Sequence, residues 1–491
     1  METLKYCRLI ETLKTFSPKE FSDFENIAIS PYFSKGRNYS PYIKALKKYY
    51  PKFDNTVFHK DNARKHIFEL THPGKNYNDQ FMKNIFTDLI HFAEETLFQK
   101  VAKDYNHQNL SSLAIEEAKR NLFPLANHNI NALDKILDEN GIDELYYYCK
   151  GMNEIALSIL YNKTHSKNHE TGKPFTTGVH FIYFSLITLA LSIYNSSVRR
   201  AMLNLEEDKQ FNENFVNLID LEKLKIVLLN SKDENKEVIL IFLYYLIHKS
   251  PKSGKRNYEK MRDLTFENYH KFNSRMLFYI ISILLSTLYE NKNKMEDVKF
   301  RKEYHKIVIF SLKNNCYKIM KTATFQFYNF RAYYLNALAL GKLEWVIGFA
   351  GKYASELLPE LQNETLALVN SNILFENKLY DETLEGLKHK CTNILSKIDQ
   401  RLLKLKIFYH KGSFVQAENS LEALKKFLIK NKVAQHVFRS SFDLFIKFYK
   451  KLLNTAEGKE KEPEIILDEL KRTSAFPERR WLIESFESII K

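Results

Sequence analysis

Three short stretches decide how this chain reads: Gly341-Lys342-Leu343-Glu344-Trp345-Val346, Lys378-Leu379-Tyr380-Asp381-Glu382-Thr383 and Gly412-Ser413-Phe414-Val415-Gln416-Ala417. Each runs from a turn residue to a bulky apolar residue two places on, then to a smaller residue three places later. Their first residues lie 378 − 341 = 37 and 412 − 378 = 34 positions apart. A period near 34 with turn chemistry at a fixed point marks helix–turn–helix units stacked in series, because each unit alone leaves an apolar face that the next one covers. The expected fold class is all-α: a helical N-terminal module followed by an α-solenoid of antiparallel helix pairs. Arrays of this kind work by presenting an extended binding surface, so the expected function is binding and the chain is not expected to be an enzyme.

Composition agrees. The 491 residues exceed what one compact core organises, which leaves room for several domains or one elongated array. Thirteen Gly and eleven Pro fall far below average usage of about 7% and 5%, so turns are few and helices long. No Asn-Gly or Asp-Gly hairpin flanked by alternating apolar residues is present, and period-2 alternation is not sustained. The net charge is 74 − 59 = +15. That surplus fits an anionic partner, but both signs alternate along most helices as on ordinary solvated faces, and Lys, Asn, Ile, Phe and Tyr are enriched together as A/T-rich codon usage would give. Cys7, Cys149, Cys316 and Cys391 lie far apart with no C-x-x-C pair, which argues against a local thiolate zinc site and for buried, reduced thiols. No basic stretch followed by an apolar run opens the chain, so a cytoplasmic protein is expected. The most apolar run, Val179 to Tyr194, is 16 residues long. That is short of the roughly 20 needed to cross a bilayer, so this run, Val238–Ile247 and Leu277–Tyr289 are expected as buried core helices with no membrane insertion.

Four regions follow: a helical module over 1–105, an irregular array of helix pairs over 106–323, recognisable repeats over 324–430 and closing helices over 431–491. In the first, Ser17-Pro18-Lys19-Glu20 predicts a capping box at a helix start. Phe81, Ile85, Leu89, Phe92 and Leu97 mark the apolar stripe of a long helix. In the second, Leu122–Leu137, Leu145–Tyr161, Val179–Tyr194, Phe211–Leu229 and Val238–His248 are the clearest helices, followed by Phe272–Leu288 and Val298–Leu312. In the last, Val433–Leu453 and Ile465–Leu470 flank a charged loop, and Pro477 to Lys491 reads as a helix capping the final apolar face.

The repeat region resembles the tetratricopeptide-repeat superfamily. That family places a small residue where the two helices of a repeat pack closest, then a glycine at the turn, an aromatic two later and an alanine five later. Gly412, Phe414 and Ala417 match fully, Lys378, Tyr380 and Thr383 in part, and Gly341, Leu343 and Val346 loosely. The close-packing position falls on Tyr334, Ser371 and Leu405, so only the middle repeat keeps a small residue there. The likeness covers about a fifth of the chain and bears on fold more than on function. In that family's register the concave groove would be lined by Tyr328, Arg331, Leu335, Asn372, Phe375, Lys406 and Tyr409. This mixture of aromatic, amide and cationic groups suits a peptide or protein partner, so a scaffold or adaptor is expected. The N-terminal module also resembles the leading segment of some large bacterial helical-repeat proteins, which implies no activity.

Other chemistries find little support. Gly-Lys pairs at 74, 172, 254 and 341 lack the flanking residues of a phosphate loop, and neither G-x-S-x-G nor H-E-x-x-H is present. His165 and His169 have the i, i+4 spacing of a metal pair but sit among Lys163, Lys167 and Lys173, so no metal and no cofactor is expected. One competing reading remains, a nucleic-acid or ribonucleoprotein binder using a basic edge over 249–306. Lys252, Lys255, Arg256, Arg301 and Lys302 would neutralise phosphates there, while Tyr258, Phe300 and Tyr304 stack on bases. The sequence does not fix the oligomeric state.

Overall fold

The computed structural model describes residues 7–53, 58, 62–104, 106–164, 177–203, 210–250, 257–292, 295–320, 323–460, 462–473 and 476–490. Among these residues there are 25 α-helices and no strand, and one isolated β-bridge pairs Ile142 with Phe272. The chain is all-α. It forms two compact units, 1–136 with 155–169, and 137–154 with 170–491.

The first unit draws on α1 (Arg8–Lys14), α2 (Pro18–Ile29), α3 (Pro31–Ser34), α4 (Ser40–Lys47), α5 (Asn62–Thr71), α6 (Asp79–Asp104), α7 (Asn106–Lys119), and parts of α8 (Phe123–Asn140) and α9 (Glu144–Thr164). The predicted capping box starts α2: the Ser17 hydroxyl accepts from the Glu20 amide at 3.3 Å, and the Glu20 carboxylate accepts from the Ser17 amide at 2.7 Å. The spine is α6, against which α1, α2 and α5 pack. Its stripe differs from the predicted one. Ile85, Leu89 and Phe92 are buried, but Phe81 and Leu97 are exposed, and Met82, Phe86, Ala93 and Thr96 take their places. Positions 82, 85, 89, 92 and 96 keep to the helical period, whereas a stripe from 81 to 97 drifts off the buried face.

The second unit begins with α10 (Thr177–Leu203), α11 (Gln210–Leu218), α12 (Leu221–Asn230), α13 (Lys236–Lys249), α14 (Asn257–Asn268), α15 (Ser274–Glu290) and α16 (Asp297–Lys313). At its centre α13 buries ten consecutive residues, Val238 to Ile247, between α10, α12 and α14. That helix and α15 are the core helices expected. The run at 179–194 is one on a single side only: Tyr183, Leu186, Ile187, Ala190 and Ile193 are buried, while Val179 and Ile182 are exposed. It belongs to a helix of 27 residues, of which Gly178–Arg200 is long and apolar enough to cross a membrane by length and composition, and 28% of an 18-residue apolar window within it is buried. The segment read as one helix over 211–229 divides in two, because the Asp220 carboxylate accepts from the Lys223 amide at 3.0 Å and starts a new helix. Gly141 is required twice over. Its φ is +78°, and a Cβ there would stand 2.9 Å from the Asn273 amide nitrogen, where Ile142 bonds to Lys271 at 2.7 Å.

The remaining helices are α17 (Phe327–Ala339), α18 (Leu343–Tyr353), α19 (Pro359–Glu376), α20 (Tyr380–Gly386), α21 (Ile394–His410), α22 (Phe414–Lys430), α23 (Lys432–Ala456), α24 (Pro463–Arg472) and α25 (Arg479–Ile490). The pairs α17–α18, α19–α20 and α21–α22 each pack together, and α19 also packs against both α17 and α21. The three predicted turn residues do one job. Gly341, Lys378 and Gly412 have φ of +70°, +62° and +65°. The next residue's amide then closes on a carbonyl five residues back: Lys342 to Ala337, Leu379 to Leu374, Ser413 to Phe408, at 3.0, 3.0 and 2.9 Å. This left-handed cap satisfies orphan carbonyls and reverses the chain. Gly458, between α23 and α24, repeats it with φ +73° and Lys459 closing on Asn454 at 2.9 Å. In the middle pair, a Cβ on Gly386 would stand 2.8 Å from the Ser371 hydroxyl, so the small residue expected at 371 does sit at a close helix approach.

Candidate protein-binding face

The residues placed on the groove by register lie on α17, α19 and α21. The structure brings several of them together but does not leave them open. Arg331 on α17 reaches across to α21, where its Nε and Nη2 each donate to the Asp399 carboxylate at 2.5 Å. Burial works against this guanidinium charge, and the Asp399 carboxylate outweighs it, so the Arg331 pKa lies above its ordinary value. Phe375 is buried, with the Lys406 ammonium 4.8 Å from its ring centre. Lys406 is itself buried and donates to Glu478 at 3.1 Å. Asn372 donates to the Leu368 carbonyl of its own helix at 2.8 Å, and Leu335 is half-buried against the core. Tyr409 is half-buried with the Trp481 ring edge-on at 5.5 Å. Tyr328, in the first turn of α17, is exposed.

What covers the face is the turn before the last helix together with that helix's first residues. Glu478 to Trp481 runs past the C-terminal ends of α17 and α21. Glu478 takes Lys406, Arg480 donates to the Ala339 carbonyl at the end of α17, and the Trp481 indole N–H donates to His410 Nε2 at 3.2 Å. A cation on the last carbonyls of α17 is favoured by the helix dipole. Trp481 also lies against Tyr449 at 6.0 Å, and His410 stacks on Tyr380 at 5.5 Å, so an aromatic group from each of three helix pairs meets here. Further along α25, Leu482 and Phe486 are fully buried in the core shared with α23 and α24. The expectation of a free concave groove is therefore corrected. Arg331, Phe375 and Lys406 are satisfied inside the chain, and Glu478, Arg480, Trp481, Asp399 and His410 belong to the site although the register did not point to them. The signal for Trp481 was present: it is one of two tryptophans, in a segment already read as a cap.

Lys252, Lys255 and Arg256 of the basic edge lie outside the described residues, as do His165 and His169. Lys302 is exposed, but Arg301 donates to Asp297 at 2.6 Å. The interleaved aromatics are not offered for stacking. Phe300 is buried, Tyr304 packs against the core, and the Lys292 ammonium sits 5.5 and 5.4 Å from the Tyr289 and Phe300 rings. Cys149, Cys316 and Cys391 are buried and unpaired, and burial pushes the first two thiols up to about 12 and the third to about 11. Among the described residues no group of three His, Cys, Asp or Glu could hold a metal ion.

No protein-family model, curated protein or solved structure matches this chain.

Proposed function

We propose that the chain is a non-enzymatic, tetratricopeptide-like adaptor of the cytoplasm, an α-solenoid that holds a helical segment of a partner protein on the face of α17, α19 and α21. One observation carries this reading: the face already holds a segment of the chain itself, the turn residue Glu478 and the first helical residues through Trp481, by way of Lys406, Tyr409 and His410. Its chemistry defines the partner. A carboxylate just before a helix meets Lys406, and an aromatic three residues on, half-buried against Tyr409 and Tyr449, gives the aromatic anchor on which such recognition depends. A partner segment with a Glu-x-x-Trp or Glu-x-x-Phe start competes with α25 for this position.

The test places a photo-crosslinking residue at Tyr328, at Tyr409 or at the exposed Val415 of the full chain in its native host. A protein adduct at 328 and 409 but not at 415, competed away by a synthetic peptide of residues 476–491, is the expected result. Equal adducts at all three positions, or an adduct indifferent to the peptide, refutes the face. An adduct to nucleic acid instead favours the basic-edge reading.

A further inference from the structure

A second site, on another side of α21, does not use that face. Lys397, Arg401 and Lys404 stand at i, i+4 and i+7, one helical stripe, while Asp399 and Lys406 turn to Arg331 and Glu478. All three residues of the stripe are half-buried. The loop after α20 lies on one side of it, where Gln400 donates to the Leu387 and His389 carbonyls. On the other side is α22, with the Arg401 Cζ 4.0 Å from the centre of the Phe427 ring. Helix α20 ends after 7 residues against 17 in α22, which leaves the stripe half-open between them.

These cations lack what other covered cations of the chain have. Arg262 pairs with Glu303, Lys318 with Glu356, Arg331 with Asp399 and Lys406 with Glu478. Among the described residues no carboxylate pairs with Lys397, Arg401 or Lys404. Asp381, Glu385 and Glu422 pair instead with Lys411, Lys388 and Lys425, and Glu382 and Glu418 are exposed. Burial lowers the Arg401 pKa, and burial followed by the Arg401 charge lowers that of Lys404. The group that opposes both shifts is Cys391, but burial pushes its thiol up to about 11, so it supplies no anion at neutral pH. A covered charge without a counter-charge is stabilised by a ligand that brings one. The geometry sets the class of that ligand. The Phe427 ring and a bond from Arg401 Nη1 to the Lys397 carbonyl at 2.9 Å hold the guanidinium, and its remaining N–H donors have no partner among the described residues. A guanidinium fork beside an ammonium suits a doubly charged phosphate better than a single carboxylate, since one dianion neutralises both cations. The stripe is only about 10 Å long at the helical rise, and Arg401 already covers the ring on which a base would stack, so a nucleic-acid strand is the poorer fit.

We propose that Lys397, Arg401 and Lys404 form a binding site for the phosphate group of a small ligand, with the Arg401 fork and the Lys404 ammonium donating to its oxygens. Phosphorus NMR of inorganic phosphate with the full chain, in chloride buffer at fixed ionic strength, tests it. The phosphate line is expected to broaden and to titrate with a Kd of about 1 mM or below, the strength of a few charge-assisted hydrogen bonds. Arg401→Gln with Lys404→Gln should weaken binding at least tenfold. Lys404→Gln alone, which leaves Arg401 on Phe427, should already weaken it about threefold, so the test does not hang on the packing of the double variant. Lys352→Gln, at an exposed lysine of α18, should change nothing. Sulfate should displace phosphate at least tenfold more effectively than acetate. A wild type that does not bind, binding that survives the double variant, or equal displacement by acetate overturns the proposal. A single-stranded oligonucleotide bound at the same residues more than a hundredfold tighter than inorganic phosphate overturns the small-ligand class. Flotation with phosphatidylcholine vesicles containing phosphatidic acid separates the sources of the phosphate: flotation that the double variant loses assigns it to a lipid headgroup, and phosphate binding without flotation assigns it to a soluble ligand.

Discussion

Replacing Asp399 with Asn separates a closed face from an open groove. Asp399 is 9% exposed and accepts both short hydrogen bonds from Arg331, whose side chain is 25% exposed. Were α17 and α21 the walls of a water-filled groove, this would be an exposed ion pair, and its loss would cost about 1 kcal/mol or less. Covered as it is, the change leaves a guanidinium without its counter-charge. Breaking a buried pair costs about 3–5 kcal/mol, and the quarter of Arg331 that still meets water puts the expected value near the low end, about 3 kcal/mol. Arg331→Met with Asp399→Leu removes both charges and keeps the volume, so it should return stability to within about 1 kcal/mol of wild type. Denaturant unfolding read by tryptophan fluorescence is the assay, because the chain's two tryptophans, Trp345 and Trp481, both lie in this region and report it apart from the N-terminal unit. A cost below about 1 kcal/mol for Asp399→Asn would show the pair open to solvent. A double variant as unstable as the single one would show that the charges themselves, not closure, hold α17 to α21.

Three further outcomes are expected. His305 is buried with its ring 4.8 Å from Trp345, and burial, then the Lys342 charge, lowers its pKa to about 4. The unfolded chain therefore binds this proton first as pH falls below about 6.5, so the contribution of neutral His305 is full above that value and about 3 kcal/mol is lost by pH 4; His305→Gln should flatten that window in the same fluorescence assay. Lys378 holds a left-handed conformation that glycine holds in the neighbouring repeats, so Lys378→Gly should stabilise by about 0.5–1 kcal/mol and Gly412→Ala should destabilise by about 1, both read as midpoint shifts. The Ser371 hydroxyl is buried without a partner and stands 2.8 Å from a Cβ added at Gly386, whereas the Ser371 Cβ itself would be 4.0 Å away. Ser371→Ala should therefore be neutral or stabilising alone and should make Gly386→Ala better tolerated, a coupling of about 0.5–1 kcal/mol in a double-mutant cycle.

The parts of this fold that were legible in the sequence are those decided within one turn of helix. Ser17 and Glu20 cap each other across three residues, and the Gly341 and Gly412 turns close on carbonyls five residues behind. Local chemistry of that kind is written in the residues that perform it. Long apolar runs gave the burial of α13 for the same reason, since a helix apolar on every side has no face to offer water. The register of α6 and the break at Asp220 needed more than periodicity: each turns on which neighbour covers which side, and a helix cap can override an unbroken apolar pattern.

The face on α17, α19 and α21 failed to be legible for a different reason. Lys406 and Tyr409, three residues apart on α21, both meet the segment Glu478–Trp481, because side-chain direction on a helix follows from position alone. Whether that surface is open depends on Glu478, Arg480 and Trp481, some seventy residues further on. Nothing in the spacing of 406 and 409 requires those partners. The charges did hold a clue: a lysine and an arginine at groove positions, in a chain with 59 carboxylates, need counter-ions if they are buried. Asp399 and Glu478 are those counter-ions. For the proposed adaptor function, the segment that satisfies a buried lysine and seats a tryptophan on three other rings also serves as a template, since a partner that displaced it would have to offer an equivalent carboxylate and an equivalent aromatic face. For the adaptor function proposed above, the contacts of Glu478 and Trp481 therefore define the partner to be tested more specifically than the repeat pattern does.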